Sequence, residues 1–179
     1  MAVKFILFLF CCLLYNNHQA QKQQYLFKTY VGDLNNDKIP DEIYIREIKC
    51  KGSYDDEDGS RVCRVATVIL YEDKDKDKST SWTNSNIVPC SFCSEDEKDP
   101  FKEIKIKKNG FSFISVFTNL PSGMKIKKTV TFKYDKNRNN FILFKVIQEM
   151  ESYENGNIER KVNIERIKDF GIITFSDYF

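Results

Sequence analysis

The chain has 179 residues, with 28 basic and 26 acidic side chains, 14% aromatic residues, six cysteines and one histidine. That composition excludes the disordered, collagen-like and coiled-coil classes and allows one packed domain. A formal charge of +2 supplies no overall field for nucleic acid or an anionic membrane, so any recognition rests on local patches.

Lys4 precedes the apolar run FILFLFCCLLY, residues 5–15. At about 1.5 Å per residue this run is too short to span a bilayer. It has the shape of a secretory signal peptide, with Ala20 as the small residue before the cut. The expected organisation is a signal peptide at 1–20 and a single β domain at 21–179, secreted or periplasmic and not membrane-spanning after cleavage. A retained N-terminal anchor is the alternative. Cleavage removes His18, so the mature chain has no Ser-His-Asp or Cys-His nucleophile and no His-ligated metal site. The seven glycines show no G-x-G-x-x-G or P-loop spacing.

The most informative segment follows the first strand-like run. In GDLNNDKIPDE, residues 32–42, oxygen side chains fall at Asp33, Asn35, Asp37 and Asp41, and Ile39 is placed to offer its carbonyl. This one, three, five, seven, nine spacing suits calcium, a hard cation taking six to eight oxygens. An EF-hand needs a Glu at the twelfth position, where this chain has Tyr44. The flanking QYLFKTYV and EIYIREI also read as strands, so the closer match is the β-hairpin calcium loop of FG-GAP repeats. Lys38 stands where such loops carry Gly, and a left-handed residue there costs a non-glycine roughly 1 kcal/mol. A solvated Asn/Asp-rich turn is the alternative.

Four cysteines remain after processing: Cys50, Cys63, Cys90 and Cys93. Export favours disulfides, and the local solution pairs Cys50 with Cys63 and Cys90 with Cys93. A thioredoxin-like motif at Cys90 and Cys93 would need a βαβ context, and a zinc site would usually need paired C-x-x-C knuckles. Between Cys50 and Cys63 lies the acidic run 55–59, read as a hydrated loop. Val62–Tyr71 is apolar on both faces and reads as a central strand covered on each side. The run 73–78 alternates Asp and Lys and carries its own countercharges. Trp82 lies in the polar segment 79–86 and is a candidate partner contact, or else a ring folded onto the core.

Further along, residues 102–107 alternate with Ile104 and Ile106 on one face, and Asn109-Gly110 marks a tight turn into 111–118. Ile126, Val130, Phe132 and Tyr134 share a face that also receives Lys128, an exception to the pattern. The turn 136–140 leads into FILFKVI, and residues 154–157 end that strand. No stretch of twelve or more residues keeps a helical stripe. The fold class is therefore mainly β, an antiparallel sandwich, barrel or small propeller-like domain of about eight to ten strands with a calcium-binding hairpin loop.

Three blocks in the same order, GDLNNDKIPDEIYI, PCSFCSEDEKDPFKEIKIKKNGFSFISV and TVTFKYDKNRNNFILFKV, resemble small bacterial envelope proteins of FG-GAP or VCBS-like type. The resemblance spans roughly residues 30–150. Here Ser94-Glu95 replaces the Gly-Gly that commonly follows the second cysteine. Some similar periplasmic proteins are immunity proteins that block peptidoglycan hydrolases, related to lysozyme inhibitors with a protruding Ser-Gly loop. The resemblance points to Ser122 and Gly123 as partner-binding residues, although Ile126 occupies the position where inhibitors often carry Tyr. A plain hairpin turn is the alternative.

Few acidic residues fall on inward strand positions, and no carboxylate has an evident apolar pocket to raise its pKa. The expectation is therefore a non-enzymatic binding module stabilised by calcium and disulfides, with a protein partner such as a peptidoglycan hydrolase. The alternatives are a surface adhesion module binding glycan or protein, and a carboxylate-dependent hydrolase.

Overall fold

A computed structural model describes residues 25–49, 62–91, 93–96, 98–154 and 157–179. The signal segment 1–20, Cys50 and the acidic run 55–59 lie outside the described residues. The strands are β1 (Tyr25–Gly32), β2 (Asp41–Lys49), β3 (Val62–Tyr71), β4 (Ser79–Asn84), β5 (Phe101–Lys107), β6 (Gly110–Asn119), β7 (Met124–Asp135), β8 (Asn140–Glu154) and β9 (Asn157–Arg166). One short helix, α1 (Ile167–Phe170), follows.

The strands form two antiparallel meanders, a four-stranded sheet β1-β2-β3-β4 and a five-stranded sheet β5-β6-β7-β8-β9. Neither closes on itself, so of the architectures expected from sequence the chain adopts the open two-sheet sandwich. Period-two alternation drives this arrangement, because every strand except β9 sends one set of side chains to a common core. Ile43, Ile45, Ala66 and Val68 come from the first sheet and Phe111, Phe113, Val130 and Phe132 from the second. Phe175, from the C-terminal tail, is fully buried among the phenyl rings, 5.2 Å from Phe132 and 5.8 Å from Phe111.

Local chemistry sets the turns. Asn109 takes a left-handed φ of 63° between β5 and β6, a conformation Asn tolerates. Gly110 has no freedom to be anything else, since a Cβ there would stand 2.2 Å from the Phe132 carbonyl oxygen. After β7, the Asp135 carboxylate accepts hydrogen bonds from the amides of Asn137 and Arg138, closing the next turn.

Two sequence expectations need adjustment. β3 is interior to its sheet, but only Arg64, Ala66, Val68 and Leu70 are buried, and the alternate residues are half-exposed. A two-layer sandwich has no third layer to cover that outer face. The polar segment around Trp82 is the edge strand β4, whose composition suits an edge rather than a loop.

The C-terminal tail completes the second sheet. Leu143 donates to the Ile173 carbonyl and Phe175 to the Phe141 carbonyl, each at 2.8 Å. Asn84 of β4 then clamps the tail. Its Nδ2 donates to the carbonyls of Phe175 (2.7 Å) and Tyr178 (2.8 Å), while its Oδ1 accepts from the amides of Asn86 and Ile87.

Candidate functional site

The β1–β2 connection holds the candidate metal residues. Leu34 is fully buried and pins the loop to the core. Asp33 accepts at Oδ1 from the amides of Asn36 (2.6 Å) and Asp37 (3.1 Å), and at Oδ2 from that of Lys38 (3.0 Å). Asn35 Oδ1 accepts from the Asp37 amide, and Asp37 Oδ1 accepts from the Ile39 amide. Asn36 and Lys38 are both left-handed, with φ of 68° and 72°. These two positions alternate with Asn35, Asp37 and Ile39, so the backbone coils around its own acidic side.

Asp41 begins β2 and is wholly buried. Its Oδ2 accepts from the Leu34 amide at 2.8 Å and its Oδ1 from the Tyr71 amide at 3.1 Å, tying the loop to β3. Burial pushes its carboxyl up to about 6. The two amides pull it back, while the negative charges of Asp37 and Asp33 push the same way as burial.

By donor type this set fits calcium: three carboxylates, an amide oxygen and the Ile39 carbonyl, with no nitrogen or sulfur ligand needed. The fit is not complete in side-chain placement. Among the described residues, no three carboxylates, cysteines or histidines are gathered into a metal cluster. Asp37 Oδ2 instead accepts from Asn35 Nδ2 at 2.7 Å.

The surroundings are anionic and aromatic. Lys76, on the β3–β4 turn, pairs with Glu42 and stands 4.5 Å above the Tyr71 ring, whose hydroxyl donates to Glu42 at 3.2 Å. Burial raises the Tyr134 phenol, and the charges of Asp37, Asp41 and Glu72 add to that effect. Hairpin loops from both sheets thus meet at this end. The run 73–78 is a folded turn, with Asp73 Oδ1 accepting from the Asp77 amide and Lys76 at φ 62°.

The other candidates lie elsewhere. Ser122 and Gly123 occupy the β6–β7 turn, and since Tyr134 at the other end of β7 faces the charges of Asp37 and Asp41, that turn lies at the end opposite the β1–β2 loop. Ser122 donates its hydroxyl and its amide to Asn119 Oδ1 and accepts from the Met124 amide. Gly123 has φ 62° with open space around its Cα, and Leu120 beside it is 60% exposed. Trp82 lies on β4. It is half-buried and meets Phe141 edge-on at 5.5 Å.

Cys90 and Cys93 form a disulfide. Cys63 is also disulfide-bonded; Cys50, its expected partner, lies outside the described residues. Past Cys93 the chain runs beside the end of β6 that extends beyond β5. Ser94 Oγ accepts from the Thr118 amide, and the Glu95 carboxylate accepts from the Leu120 amide and the Asn119 side chain. Ser94 and Glu95, just past the disulfide, thereby brace the base of the Ser122 turn.

Sequence reasoning missed Arg64 and Asn84. Arg64 is a buried cation on the core side of β3, bonded to Glu47 and Asp99 and stacked 4.1 Å from the Phe27 ring. Its one sequence signal is a charge at a core-facing position of an alternating strand. Lys128, the exception noted in β7, lies 5.5 Å from the Tyr178 ring. It lines a cavity of about 150 Å³ with Ser115, Phe117 and Tyr178.

No protein family matches the chain, and no curated protein or solved structure matches it either. Among the described residues, no helix is long and apolar enough to cross a membrane.

Proposed function

We propose that this chain is an exported, non-catalytic recognition module whose β1–β2 loop takes calcium and whose partner is a protein of the peptidoglycan-hydrolase kind. The observation that carries the calcium reading is the Asp33 to Asp41 loop. Its left-handed residues alternate with oxygen-bearing ones, and its buried Asp41 carboxylate is opposed by two neighbouring negative charges. Asp33, Asn35, Asp37, the Ile39 carbonyl and Asp41 would hold the ion. Calcium there would neutralise like charges that otherwise repel and so stiffen the hairpin.

The recognition reading draws on the opposite end. The Ser122 turn presents Leu120, while Glu95, just past the Cys90–Cys93 disulfide, holds its base. A braced loop loses less conformational entropy on binding.

The test is inhibition of a wall hydrolase, with a co-encoded hydrolase as the first choice, by the purified mature chain. A 1:1 complex with loss of lytic activity, weakened by Ser122→Ala or Gly123→Ala, is the expected result. Absence of both complex and inhibition would contradict the proposal. Retention on peptidoglycan without inhibition would assign the chain to surface adhesion instead.

A further inference from the structure

We propose that β9 is a dimerisation edge, through which two copies of this chain pair antiparallel and join their five-stranded sheets into one of ten strands. Among the described residues the two sheets have four edges, and the molecule treats them differently. An unpaired edge is a template for another strand, and folded proteins blunt it by shortening it or breaking its register. β1 has a register shift between Leu26 and Lys28, and β5 has one between Phe101 and Glu103. β4 is only six residues long. β9 has neither device. It runs for ten residues in unbroken register, from Glu154↔Asn157 to Lys145↔Arg166, and all ten of its side chains are exposed. The first sheet is one strand narrower than the second and makes its contacts through β1 to β5 and through β4 to β8 and the tail.

Composition gives the occupant. β9 repeats itself, with Asn157-Ile158-Glu159-Arg160 followed by Asn163-Ile164-Glu165-Arg166. Ile158, Val162 and Ile164 share one face and are 52%, 59% and 41% exposed, with Arg160 between the first two and Arg166 following the last. Charges on an edge strand ordinarily discourage pairing, but here both signs occur at spacings that match under a two-fold axis. Side chains directly opposite each other in an antiparallel pair share a face, so the axis must pass through a residue rather than between two.

With the axis at Arg160, Glu159 of each copy faces Lys161 of the other. Ile158 then faces Val162, and Asn157 faces Asn163. The one like pair is Arg160 with its own copy, and each Arg160 is already bound to Glu151 of its own β8 at 2.9 Å. Other registers fit less well. An axis at Val162 sets Glu159 against Glu165 twice, and one at Lys161 sets that lysine against itself and loses the ion pairs. One at Asn163 pairs Lys161 with Glu165 and Val162 with Ile164, but it sets Arg160 against Arg166 twice, where the Arg160 axis has one like pair.

The test is sedimentation equilibrium of the full mature chain. The expected result is a species of twice the monomer mass that dissociates on dilution. Lys161→Glu opposes like charges at two places and should weaken the dimer about tenfold. The reversed double variant, Glu159→Lys with Lys161→Glu, keeps the net charge of wild type and should restore it. Arg160→Cys should give an intermolecular disulfide on oxidation where Val162→Cys does not. All these positions are exposed, and an unchanged β circular-dichroism spectrum certifies the fold. A chain monomeric at every concentration, a dimer indifferent to Lys161→Glu, or an open-ended polymer would each overturn the proposal.

Discussion

Arg64 Nη1 lies 2.7 Å from Asp99 Oδ1 and its Nη2 lies 3.1 Å from Glu47 Oε1, so one buried guanidinium ties β3 to β2 and to the segment entering the second sheet. Breaking a buried pair on one side leaves uncompensated charge, at a cost of about 3–5 kcal/mol. Glu47 and Asp99 are partly open to water, which places Arg64→Met near the lower end. Adding Glu47→Gln and Asp99→Asn removes the stranded carboxylates and should recover much of the loss. Urea unfolding of the single and triple variants checks this.

The Asn84 clamp makes a separate prediction about the tail. Asn84→Asp keeps the acceptor for Asn86 and Ile87 but sets an oxygen against the carbonyls of Phe175 and Tyr178. Each stranded carbonyl costs roughly 1–3 kcal/mol. Limited proteolysis should then cut the tail before the rest of the sandwich. Phe175→Ala, which empties the centre of the phenyl cluster, should cost about 3–5 kcal/mol globally.

Left-handed Lys38 predicts a gain. Its φ of 72° carries a penalty of about 1 kcal/mol that glycine avoids. Lys38→Gly should raise the melting temperature and tighten calcium binding, and Lys38→Val should lower both. The same melts and a calcium titration decide it.

Asp41 gives the calcium-free protein a pH signature. Its folded carboxyl titrates near 6, above the ordinary value of 3.8. In that window the folded state binds more protons than the unfolded chain, so its contribution to stability is fully present below 3.8 and is lost as pH rises through 6. With chelator, stability should rise as pH falls from 7 to 5. Asp41→Asn should flatten that slope, as unfolding curves across the window would show.

The meander was legible because its signals are local. Asn109-Gly110, the alternation of Ile104 with Ile106 and the turn before FILFKVI each act over a few residues. The spacing of Asp33, Asn35, Asp37 and Asp41 is equally local. Arg64 with Asp99 and Asn84 with Phe175 join residues far apart in the chain, and no periodicity announces such pairs. Lys128 broke the pattern because its strand runs out beyond the core to line a cavity beneath Tyr178. The chain also separates what the sequence allowed to be one surface, since the acidic loop and the Ser122 turn occupy opposite ends.

The central claim is that the loop from Asp33 to Asp41 takes one calcium ion and stiffens the sandwich. The direct measurement is a pair of thermal melts of the mature chain, in calcium and in chelator. At a hundred times the dissociation constant, calcium should add about 2.7 kcal/mol and raise the melting temperature accordingly, with the shift abolished when Asp33 and Asp37 are replaced by Asn. Superimposable melts for the wild-type chain would contradict the account.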